Sequence, residues 1–215
     1  MGIKRRVAVI AIATLGLTGI AGPAFAGTSG RIALKPVVVN PCGGAVESGA
    51  VAQWEQGTGM NSNNDPEYFG LHLRPGGSCT IASATFTNVK GVVLSKLGFS
   101  VRDDTPCSGG NPRWHITTRS RDFYEIACAA GVAEPDSGQT LPGVPPFTKY
   151  TFNDASVTPF CHLNRDMTDC TGDAAPWPGF GRAEMRTLDI IVDTASPEGF
   201  YLDDIRVNRS IFSKP

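Results

Sequence analysis

Two adjacent carboxylates, Asp203 and Asp204, lie inside residues 199–208, a short run rich in β-formers near the end of the chain. A carboxylate half buried in a strand must be hydrogen-bonded, ion-paired or bound to a metal. The plain alternative is that Asp203 caps a turn or pairs with Arg206 or Arg186. A second group of residues has the chemistry to hold a sugar. The CH groups of a pyranose stack on the apolar face of Trp or Tyr, while its hydroxyls take Asn, Asp, Gln or Arg. Trp177, between Pro176 and Pro178 in a long loop, is either such a platform or a plug packed under that loop. Trp114 and Tyr124 fall in adjacent strands of one hairpin as cross-strand neighbours, and their parity leaves core and solvent both open. Arg113 stands either to bind a ligand or to neutralise Asp103 or Asp104. Trp54 reads as core.

Signatures of the common enzyme classes are missing: there is no G-x-S-x-G elbow, no H-E-x-x-H and no P-loop. A glycosidase needs two carboxylates at a defined separation across a cleft. Asp103, Asp104, Glu125, Glu184, Asp189, Asp193 and Glu198 supply the residue type, but they read as solvent-facing strand and turn positions. His115, Ser120 and Asp122 contain the types of a catalytic triad, yet on one tight hairpin they cannot readily adopt its relay geometry.

The elements that must position these residues begin with an export signal. Lys4, Arg5 and Arg6 precede an apolar run over 7–20 and a small-residue site, Ala24-Phe25-Ala26. This predicts a signal peptide over 1–26 and a secreted, extracellular mature chain over 27–215, read as a single domain. The apolar run is shorter than the roughly 20 residues of a spanning helix, and no later segment suggests a membrane partner. Loss of the three cations takes the formal net charge from −1 to −4. That balance argues against nucleic acid, whose binders carry a basic face.

All 6 cysteines lie in the mature part. An even count in an exported chain reads as three disulfides. Cys161 with Cys170 closes a local loop, Cys107 with Cys128 flanks a hairpin, and Cys42 is left with Cys79. A metal site is the weaker rival, because there is no C-x-x-C and only His72, His115 and His162 would assist. Oxidised cysteines leave no thiol nucleophile.

Gly and Pro are spread along the chain, and short β-branched and aromatic runs recur between turn residues, the pattern of an all-β sandwich. Strands are expected over 34–40, 51–55, 68–73, 79–87, 92–101, 113–118, 122–128, 147–152, 183–193 and 200–208. Polar or Pro/Gly-rich loops are expected over 57–66, 102–112 and 134–146, with a long disulfide-clipped excursion over 159–181. This is enough for a two-sheet jelly roll with disulfide-stapled loops.

Three segments carry a resemblance: residues 40–54, Asn-Pro-Cys-Gly-Gly-Ala-Val-Glu-Ser-Gly-Ala-Val-Ala-Gln-Trp; residues 201–207, Tyr-Leu-Asp-Asp-Ile-Arg-Val; and the order in which 190–193 precede that strand. Together they resemble the opening and closing strands of jelly-roll carbohydrate-binding modules with a galactose-binding-like fold. The segment Cys107-Ser-Gly-Gly-Asn-Pro-Arg-Trp-His-Ile116 is also similar to a hairpin of exported actinobacterial proteins. The resemblance implies a non-catalytic domain that binds a polysaccharide or cell-wall glycan. It further implies a structural Ca²⁺ held by Glu47 with Asp203 or Asp204, an oxygen set drawn from separate segments as that ion accepts. A structural or protein-interaction domain of the cell surface with no small ligand is the competing expectation, followed by a glycan-acting hydrolase. An outward strip of aromatics would favour sugar, a uniformly polar exterior the structural role, and a cleft with two converging acids the hydrolase.

Overall fold

The computed structural model describes residues 31–61, 66–107, 110–193 and 199–214. The expected signal peptide, residues 1–26, lies outside them, as does Glu198. In chain order the strands are β1 (Ala33–Val39), β2 (Val51–Glu55), β3 (Met60–Asn61), β4 (Gly70–Arg74), β5 (Ile81–Thr87), β6 (Val93–Leu94), β7 (Leu97–Arg102), β8 (Arg113–Thr118) and β9 (Asp122–Ala127). They continue with β10 (Val132–Pro135), β11 (Gln139–Thr140), β12 (Phe147–Phe152), β13 (Thr158–Leu163), β14 (Cys170–Gly172), β15 (Ala183–Val192), β16 (Phe200–Val207) and β17 (Ser210–Phe212).

The strands form a jelly-roll sandwich of two antiparallel sheets. The larger, eight-stranded sheet runs β1-β5-β15-β8-β9-β13-β14, with β6 on β15. The smaller, seven-stranded sheet runs β10-β12-β7-β16-β4-β2, with β17 on β16. A two-stranded ladder, β3 with β11, stands apart from both.

Alternation builds the core. Ala82, Ala84 and Phe86 of β5, Trp114 and Ile116 of β8, and Leu188 and Ile190 of β15 are buried from the larger sheet. Leu71 and Leu73 of β4, Leu97, Phe99 and Val101 of β7, and Leu202 of β16 meet them from the smaller one. Full burial of such a side chain is worth about 1.5–3 kcal/mol. A satellite cluster of Phe123, Cys161 and Leu163, with Met167 packed on it, lies apart from this core.

The three disulfides form in the expected pairs, Cys42–Cys79, Cys107–Cys128 and Cys161–Cys170. No helix among the described residues is long and apolar enough to cross a membrane.

Four expectations need correction. The polar loop expected over 57–66 contains β3. The run 92–101 is two strands: β6 stays on the larger sheet and β7 crosses to the smaller. Asn208 clamps the crossover, accepting from the Ser95 and Lys96 N–H groups at 2.6 and 3.3 Å and donating to the Val93 carbonyl at 2.9 Å. The loop over 134–146 contributes β11 and the end of β10, and the excursion over 159–181 contains most of β13 and all of β14. These are short or Pro-bearing and largely exposed segments at or next to a sheet edge, without the apolar alternation that marks a strand.

Candidate functional site

The closing strand carries a bulge. β16 pairs with β7 through Leu202–Val101 and Asp203–Ser100, then through Arg206–Gly98 and Val207–Leu97. Asp204 and Ile205 therefore oppose Phe99 alone, one residue too many for the ladder. Asp204 takes a φ of 42°, in the left-handed region that non-glycine residues enter at a cost and that clusters at functional sites. The extra residue resets the alternation. Ile205 and Val207 remain buried in the core, and Arg206 stands across from Gly98 on the outer face.

Asp203 is fully buried. Its Oδ2 accepts the Met60 N–H and its Oδ1 the Asp204 N–H, both at 2.6 Å. One carboxylate thus fastens the β3 segment over the smaller sheet and holds the bulge. Gly59 permits the approach, since a Cβ there would fall 2.8 Å from Asp203 Oδ2.

Beside this anchor the outer face of the smaller sheet is hollow. A recess of about 200 Å³ is lined by Gly98, Ser100, Asp136, Lys149, Tyr150 and Arg206. Past Asp136, Asp204 and Arg206 it adjoins a wider one of about 660 Å³ bounded by Leu34, Ile211 and Phe212. Gly98 keeps the floor open between Thr151 and Arg206, the side chains a Cβ there would meet.

Asp136 is fixed at the rim. Its Oδ2 accepts the Ser100 hydroxyl at 2.5 Å and its Oδ1 the Gly138 N–H at 2.9 Å. Burial, then the nearby Asp103 carboxylate, raises the pKa of the Tyr150 phenol, so it stays protonated as a donor. Arg206 and Lys149 are half-buried, and neither makes a side-chain hydrogen bond or ion pair among the described residues.

The residues singled out from sequence are dispersed. Trp114 and Tyr124 are fully buried, so neither presents a stacking face to solvent. Trp177 is half-buried, edge-on to Tyr124 at 4.9 Å and to Phe180 at 5.5 Å, and its indole N–H donates to Asp154 at 2.9 Å. It is the plug under its loop. Arg113 pairs with Asp193 and reaches Glu125 at 3.8 Å, while Asp104 is taken by Arg102 and Asp103 by the Thr148 hydroxyl.

The carboxylate of Glu47 accepts the Cys79 N–H at 3.2 Å and the Thr80 hydroxyl at 2.6 Å. Asp203 is held by backbone donors elsewhere, and no group of three or more His, Cys, Asp and Glu side chains that could hold a metal forms among the described residues. Glu47 and Asp203 thus take their donors from separate segments, and a structural Ca²⁺ rests on the resemblance alone. Tyr201, on the smaller sheet, has an outward aromatic ring, but it is stacked on His72 at 4.2 Å and capped by Arg102 at 3.6 Å.

A second polar constellation crosses the larger sheet. Register sets Thr85, Asp189, His115 and Glu125 side by side on β5, β15, β8 and β9. His115 Nε2 lies 3.0 Å from Glu125 Oε1. Burial opposes ionisation of Glu125, but the His115 hydrogen bond and the charges of His115 and Arg113 outweigh it and hold its pKa below the ordinary value. Burial pushes the Asp189 carboxyl up.

The triad-like types also separate. Asp122, not a histidine, is central: it accepts from Ser120 at 2.6 Å and pairs with His162 at 2.9 Å, while His115 belongs to Glu125. With the acid in the middle no serine-to-histidine relay exists; the cluster braces β13 against β9.

Asp136, Ser100, Lys149 and Tyr150 were not legible as site residues, because nothing in their local pattern marks them. Compared with known proteins, the chain matches no family model, no curated protein and no solved structure.

Proposed function

We propose that this is an extracellular, non-catalytic carbohydrate-binding domain whose site is the recess over the bulged closing strand. The observation that carries the reading is the recess itself. It is concave and glycine-floored, and it gathers the carboxylates of Asp136 and Asp204, the cations of Arg206 and Lys149, and the Ser100 and Tyr150 hydroxyls around one hollow. A few convergent polar groups in a concavity are what orient a polyol ligand. The apolar rim of Ile211 and Phe212 takes the role the sequence assigned to tryptophan faces. Three disulfides suit an oxidising, extracellular compartment.

Pull-down of the mature protein on cellulose, xylan, chitin, peptidoglycan and pectin tests the reading. Retention on one polymer, lost in Lys149→Ala and kept in Trp177→Ala, is the expected result. Retention that depends on Trp177 and not on Lys149 would move the site to the 173–182 loop. A folded protein retained by no polymer would favour the structural role.

A further inference from the structure

Two half-buried cations with no side-chain hydrogen bond or ion pair among the described residues line a recess in a chain whose predicted mature form is net acidic. Arg206 stands on β16 across from Gly98, and Lys149 on β12 across from Ser100. Both line the narrower recess, on either side of the β7 strand that forms its floor. Resting on the reading above, we propose that the glycan bound there is acidic, a uronic-acid polysaccharide whose carboxylates are taken by Arg206 and Lys149.

The lining accommodates both halves of such a sugar. A planar carboxylate matches the guanidinium fork, and the ammonium adds a point charge. Hydroxyls on the same ring are donors, and the recess offers acceptors. Asp136 uses one contact on each oxygen for Ser100 and Gly138, and a carboxylate has about four lone-pair sites. Asp136 and Asp204 also decide against a more densely charged ligand, since they would repel a heavily sulfated chain. The alternating demands of one carboxylate and several hydroxyls per ring fit a uronate better than a neutral hexose, which would leave both cations unanswered in a partly desolvated recess.

Affinity electrophoresis through gels containing polygalacturonate, its methyl ester or dextran sulfate tests this. The ester is the same chain with its charge removed. Expected is retardation by polygalacturonate at least tenfold stronger than by the ester, weakening as salt rises. Lys149→Ala and Arg206→Ala should each cut it about tenfold, with the melting temperature unchanged.

Equal retardation by acid and ester would overturn the acidic-ligand inference while leaving a sugar-binding domain standing. Stronger retardation by dextran sulfate would overturn it in favour of unspecific anion attraction. Retardation by none of the three, with binding to a neutral polymer in the pull-down, would likewise overturn this inference alone. No binding in either assay would remove both.

Discussion

The outer faces of the two sheets carry similar charged residues and use them in opposite ways. On the larger sheet, charges stand in register and pair with one another. Arg113 meets Asp193 and Glu125, and Glu125 meets His115. On the smaller sheet, the bulge between Asp203 and Arg206 breaks the row. Arg206 then faces a glycine, and no acid lies within ion-pair reach of it or of Lys149 among the described residues. Directly opposed cross-strand side chains have Cβ atoms about 4.5–5.5 Å apart, close enough to pair. An unbroken ladder therefore tends to consume its own charges, while a bulge strands them.

The largest effect should come from the link that creates this contrast. Asp203→Ala leaves the buried Met60 and Asp204 N–H groups without their acceptor. At about 1–3 kcal/mol for each unsatisfied group, a loss of about 3 kcal/mol is expected. That is a fall of roughly 6–12 °C in Tm for a chain of this size, together with loss of glycan binding as the recess wall detaches. Asp203→Asn, which keeps one acceptor oxygen, should lose less. A melt of Asp203→Ala that superimposes on the wild type would break the account of the bulge.

Next in size is a crossed pair of variants. Arg113→Ala removes a cation from two half-buried carboxylates, and about 1–2 kcal/mol of stability should go with it, with retention on glycan unchanged. Arg206→Ala should do the reverse, with stability within about 0.5 kcal/mol of wild type and binding cut about tenfold. Thermal melts and pull-downs on both variants decide it. If Arg206→Ala melts low and Arg113→Ala loses binding, the two faces have been assigned the wrong way round.

The difference between the faces also explains what could be read in the sequence. The strands over 113–118 and 147–152 were legible to the residue, and the disulfides formed in the pairs expected from local loop closure, with Cys42 left to Cys79. The run Leu202-Asp-Asp-Ile-Arg-Val207 drew notice because two acids stand where alternation predicts burial. What it could not reveal was the extra residue. Without the bulge, Asp203 and Ile205 would share a face; with it, Asp203 turns to Met60 while Ile205 enters the core. The residues that share the recess with Arg206, Asp136 and Lys149, lie on a turn and a distant strand. They meet only through a sheet order, β12-β7-β16, that no local pattern encodes. Trp114 and Tyr124 failed as platforms for a related reason: strand parity names two faces but not which one the second sheet will cover.

The smallest expected effect separates the faces by pH. The Glu125 carboxyl is held below its ordinary pKa in the folded chain by His115 and Arg113. Its contribution to stability is therefore present above the unfolded value, about 4.3, and is lost as pH falls through the lower folded value. Asp189 has the opposite sign. Burial raises its folded pKa, so its contribution is full below the unfolded value, about 3.9, and is lost as pH rises through the folded one. Glu125 is partly exposed, so its effect should stay below about 1 kcal/mol. Melts followed from pH 7 to pH 3 should show Glu125→Gln losing less stability on acidification than wild type, and Asp189→Asn losing more. Lys149→Ala and Arg206→Ala, whose side chains pair with no carboxylate among the described residues, should track the wild-type curve. Parallel curves for Glu125→Gln and Asp189→Asn would mean that the row on the larger sheet is not the paired network its geometry describes, and that its charges, like those of the recess, are open to a ligand.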